Sequence, residues 1–172
     1  MEARAERLRN SDLPARQHLL QLEAEKRLLG TRIRGYDELL QAATGMLAAA
    51  AQVLRRADLA AESRRPHKRA LARSQADADE LEVRNAFVTL TDRAARVEKV
   101  ARAVGIGGWS EAFVPPNPRG MTVAEIGDWA ADLRQELRDR IDQLGVERSE
   151  LRERRRAISA TRARLVNAND LR

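Results

Sequence analysis

The residues with the most chemistry to offer are basic. Residues 63–73 read SRRPHKRALAR and hold Arg64, Arg65, Lys68, Arg69 and Arg73. Residues 152–164 read RERRRAISATRAR and hold Arg152, Arg154, Arg155, Arg156, Arg162 and Arg164. The balance is +4 over 62–73 and +5 over 152–164, whereas the whole chain carries +6, so everything else sums to −3. Guanidinium groups match phosphate oxygens in a planar, two-pronged geometry. Each phosphate they neutralise releases counterions, so affinity grows with the number of contacts. Neither cluster is interleaved with aromatic rings, which suits a nucleic-acid backbone better than base edges. The chemistry these residues offer is phosphate binding, to RNA or DNA, with little sequence preference.

Two other readings stay open for the same residues. Charge runs on long helices are commonly solvated faces, and Glu147, Glu150 and Glu153 stand within pairing distance along the chain of neighbouring arginines. An acidic protein surface would also be met by such clusters. The preference for 29 Arg over three Lys (26, 68 and 99) is what a G- and C-rich genome produces, so position along the chain says more than the ratio.

Catalytic constellations are absent from the sequence. His18 and His67 stand on different segments, and there is no cysteine to supply a disulfide or a thiolate ligand. DADELE at 77–82 gathers four carboxylates but lacks the alternating ligands and central glycine of a calcium loop. At the start of a helix such residues complement the macrodipole. GIGG at 105–108 follows a helical pattern and carries no lysine, unlike a phosphate-binding loop. The sequence therefore predicts no catalytic residue, no metal site and no cofactor, and a protein that is not an enzyme.

The elements that must position the basic clusters are helical. Aromatic residues are 3% of the chain and charged residues 34%, so Ala, Leu and Val must supply the apolar area, the composition of long helices and coiled coils. Apolar residues recur at alternating spacings of four and three from Ala15 through Leu22, Leu29, Tyr36, Ala43 and Ala50 to Ala61, with Leu40, Leu47 and Leu54 in the partner column. Ser11 or Asp12 offers an N-cap and Pro14 suits a first helical position, which predicts a first helix over about 14–62. A basic turn follows at 63–69. Val83, Phe87, Leu90, Ala94, Val97 and Ala101 mark a second helix over about 70–104. Glycines from Gly105 onward end it. Thr122 with Glu125 three residues on is a capping box that opens a third helix over about 122–167.

Two features of this pattern bear on assembly. In the third helix Val123, Ala130, Leu137, Leu144, Leu151, Ile158 and Leu165 form one column, but its partner column turns polar after Leu133. The apolar stripe is wide up to Leu144 and a single row beyond it. The loop at 105–121 holds three prolines and four glycines. Its Trp109 and Phe113 either plug the end of a bundle or stand out as an aromatic anchor for a partner.

These elements predict an all-α fold, a single domain over 1–172 built as an elongated antiparallel three-helix bundle or coiled coil. With short connections, residue 157 of the third helix falls level with the basic turn, which would bring both clusters to one end. In size, helicity and charge the chain resembles the all-helical basic small subunits of CRISPR-type effector ribonucleoproteins. That resemblance implies a non-enzymatic complex subunit holding nucleic acid beside other protein subunits, in several copies. The competing expectation is a coiled-coil scaffold or oligomerisation protein with protein partners alone. No apolar run reaches membrane-spanning length and the charged N-terminus lacks a signal-peptide core, so a cytoplasmic protein with no membrane partner is expected.

Overall fold

A computed structural model describes the backbone of residues 2–63, 72–107, 109 and 115–170, and side chains over 14–62, 75–107, 109 and 115–168. The long helices are α1 (Glu2–Ser63), α2 (Ala72–Val104) and α3 (Val123–Asp170), with a short 3-10 turn at Pro118–Gly120. They form the all-α bundle that the periodicity predicts, and no strand occurs among the described residues. The helix α1 begins at Glu2, well before the expected start, and carries Pro14 inside it. The preceding EARAERLR is rich in strong helix formers, and the pattern runs through the proline instead of starting at it. Contacts gather into two units, one of Tyr36–Gly145 and the other of Met1–Gly35 with Val146–Arg172.

The Tyr36–Gly145 unit contains the last part of α1, all of α2 and the first part of α3. Its core is built from small and branched residues: Leu39, Ala43, Met46, Ala50 and Val53 of α1, Val83, Phe87, Leu90 and Val97 of α2, and Ile126, Ala130, Leu137 and Leu144 of α3. Phe87 and Trp129 add a tilted aromatic contact with centroids 5.3 Å apart. The column Tyr36, Ala43, Ala50 and Ala57 is buried as expected, but its partner is Leu39, Met46, Val53 and Ala60. Leu40, Leu47 and Leu54 lie one residue off the core and are only half-buried. Facing two helices at once, α1 needs a wider stripe than a two-stranded seam, and Ala42 and Ala49 complete it.

Helix ends follow the capping signals. Gly105 adopts φ +71°, and Ile106 N–H donates to Ala101 O at 3.0 Å, closing α2 with a left-handed residue. At the start of α3, Thr122 N–H donates to Glu125 Oε2 at 2.7 Å and Glu125 N–H donates back to Thr122 Oγ1 at 3.3 Å. The bonds that Thr122 donates to the carboxylate, first from its N–H and then from its hydroxyl at 2.8 Å, hold the Glu125 carboxyl below its ordinary value.

The direction of the third helix differs from expectation: α3 runs antiparallel to α1, with Arg155 beside Gly30, Arg154 on Glu25 and Arg162 on Glu23. Arg56 pairs with Glu82 and Gly45 lies beside Arg93, so α1 and α2 are antiparallel. Gly127 then approaches Ala57, its Cβ position only 3.0 Å from the alanine Cβ. The beginning of α3 thus lies beside the last turns of α1. The described ends of the connection lie at different levels: Arg140 donates to Gly107 O at 3.3 Å just past the end of α2, and Arg84, twenty residues before that end, donates to Pro118 O at 2.8 Å.

The other unit pairs the first part of α1 with the second part of α3. Leu22, Leu29 and Ile158 form a buried cluster in it, with Leu151 and Leu165 partly buried against them. The single-row stripe read from the sequence is the packing observed.

Candidate nucleic-acid interface

The first basic cluster, Arg64, Arg65, Lys68 and Arg69, lies outside the described residues, as does the Arg73 side chain. The second cluster is fully described. It sits on α3 where one apolar row alone packs inward, so most of the helix circumference is left to polar groups. Arg152, Arg154, Arg155, Arg156, Arg162 and Arg164 are all exposed.

Their surroundings divide them. Arg154 pairs with Glu25 of α1 at 2.6 Å, and Arg162 pairs with Glu23 at 3.2 Å. Arg155 lays its guanidinium over Gly30, 3.7 Å from where a Cβ would stand. These three contacts fix the second cluster along the first part of α1. The expected juxtaposition with the turn at 63–69 involves residues outside the described ones; the described residues of α3 beside the last turns of α1 are those around Gly127. Arg156 and Arg164 enter no ion pair among the described residues and project their charge to solvent. Ion pairs as exposed as Arg154–Glu25 are worth little, on the order of 0–1 kcal/mol, and yield readily to a competing phosphate.

Trp109 takes the plug position. It is 2% exposed, and the Arg140 guanidinium stands 5.7 Å from its ring centroid while also donating to Gly107 O. This arrangement leaves the ring no exposed face for a partner, so Trp109 acts as core and not as an anchor. Phe113 lies outside the described residues. Arg140 itself was not singled out by its sequence neighbours. Its one signal is that it occupies the partner column just where that column turns polar.

Other chemistry is sparse. Among the described residues no group of three or more His, Asp or Glu is arranged to hold a metal ion. No described helix is long and apolar enough to cross a membrane. Comparison with protein-family models, curated proteins and solved structures found no match.

Proposed function

We propose that this chain is a non-enzymatic helical subunit of a nucleoprotein assembly that holds a nucleic-acid backbone, RNA or DNA, without reading its sequence. The observation that carries this reading is the second part of α3, where six arginines against one glutamate in residues 152–164 stand exposed on a helix buried along only one row. An exposed arginine face with few aromatic neighbours offers phosphate contacts and counterion release, and little else. Arg156 and Arg164 are the first contacts, and Arg154 and Arg162 join when phosphate displaces Glu25 and Glu23. The residues 64–73 provide a second basic segment of the same character. Cytoplasmic location and additional protein subunits belong to this reading.

The test compares two charge reversals by fluorescence anisotropy on labelled single- and double-stranded RNA and DNA. Arg155→Glu, Arg156→Glu and Arg164→Glu together should weaken binding tenfold or more with helicity unchanged. Arg64→Glu, Arg65→Glu, Lys68→Glu and Arg69→Glu together report the second segment. If neither set changes binding, or the parent protein binds nothing at low salt, the nucleic-acid reading falls. The scaffold reading then stands in its place, favoured by the exposed apolar column on α2 described next.

A further inference from the structure

The outward side of α2 carries an apolar column that the bundle does not use. Leu81 is 59% exposed and Val88 is 57% exposed, and Ala95 completes the heptad spacing on the same exposed line. Single exposed apolar residues are ordinary, but three in register on one helix face form a seam. The core residues Val83, Phe87, Leu90, Ala94 and Val97 occupy the opposite side, so the seam is not an extension of the bundle interior.

The charge along α2 states what such a seam would accept. Residues 75–85 carry Asp77, Asp79, Glu80 and Glu82 against one arginine, a net of −3. Residues 91–102 carry Arg93, Arg96, Lys99 and Arg102 against two acids, a net of +2. Parallel pairing of two such helices sets like charge on like. Antiparallel pairing opposes the two halves; Glu82 is already paired with Arg56 of α1, Glu80 with Arg84 and Glu98 with Arg102, which leaves Asp77 and Lys99 to meet across it. With the two-fold axis at Val88, Leu81 faces Ala95 of the second copy and Asp77 faces Lys99 of the second copy. Both Asp77 and Lys99 are exposed and enter no ion pair among the described residues. A shallow hollow lined by Ala95, Glu98, Lys99, Arg102 and Ala103 lies where the leucine of the second copy would arrive.

We infer that the outer face of α2 is a self-association surface, on which a second copy of this chain docks antiparallel about a two-fold axis near Val88. An isologous contact of this kind closes at a dimer. The apolar seam spans about 21 Å of helix, which places the contact at the small, weak end of specific interfaces. The arginines of α3 take no part in it, so the dimer stands or falls apart from the nucleic-acid reading.

The experiment uses the full chain, stripped of nucleic acid, in sedimentation equilibrium over a concentration series. The mass should rise from 19.3 kDa towards twice that value. Val88→Asp, an exposed substitution, should weaken association tenfold or more without loss of helicity. Because the chain contains no cysteine, single cysteines then read the geometry. Oxidised Val88→Cys should give a covalent dimer, whereas Leu81→Cys, whose two copies stand about 21 Å apart along the axis, should not. A monomer at every concentration, association untouched by Val88→Asp, or Leu81→Cys crosslinking as fully as Val88→Cys would overturn the proposal.

Discussion

Single residues set the ends and close contacts of these helices, and several can be tested one at a time. Replacing Thr122 with Ala removes the oxygen that accepts Glu125 N–H and should cost about 1 kcal/mol, read as a fall of roughly 2–4 °C in Tm. The Glu125 carboxyl titrates below its unfolded value because Thr122 donates to the charged form. Its contribution is therefore complete above the unfolded value and is lost as pH falls through the lower folded one. Tm measured against pH should separate the parent from Glu125→Gln near neutrality and bring them together in acid. Glycines give an opposed pair. Gly127→Val should destabilise, since even a Cβ at that position stands 3.0 Å from Ala57, whereas Gly145→Ala meets nothing within 4 Å and should stabilise by about 0.5–1 kcal/mol. The capping box and the glycine stop at Gly105 were legible because each is a short pattern with a local mechanism. The Arg140–Trp109 contact was not, because it joins residues that only the tertiary path of the loop brings together.

Among the elements, the width of the apolar stripe is the quantity the sequence conveyed best. The stripe of α3 narrows after Leu144, and the same change separates a three-helix core from a two-helix seam. Leu137→Asp should abolish folding, since an unpaired carboxylate in a fully buried site costs several kcal/mol. Leu151→Asp, only partly buried in the single row, should leave the Tyr36–Gly145 unit folded, as protected amides on α2 in hydrogen exchange would show. Two features were misjudged from periodicity alone. A spacing of four and three fits more than one column, so Leu39, Met46 and Val53 displaced Leu40, Leu47 and Leu54 once α1 had two neighbours to face. The direction of the residue 105–121 connection carries no periodic signal at all, and the start of α3 lies beside the last turns of α1.

At the scale of the whole molecule the positive charge is unevenly spread, +4 over 62–73 and +5 over 152–164 against +6 in total. The basic residues fall in two segments, one on each structural unit, with six arginines of the second exposed along α3. Neither the clusters nor their net charge needed a structure to be found, since counting suffices. Their expected union at one end involves Arg64, Arg65, Lys68 and Arg69, which lie outside the described residues. The described residues place an arginine face on a sparsely buried helix, and the backbone binding proposed for it should depend on salt. The most direct measurement is anisotropy with labelled RNA and DNA across a salt series, made after confirming from ultraviolet absorbance that the protein carries no bound nucleic acid. Binding whose log affinity falls against log salt with a slope of about −3 or steeper, equally for unrelated sequences, is the predicted result. No binding at low salt, or affinity indifferent to salt, would contradict it.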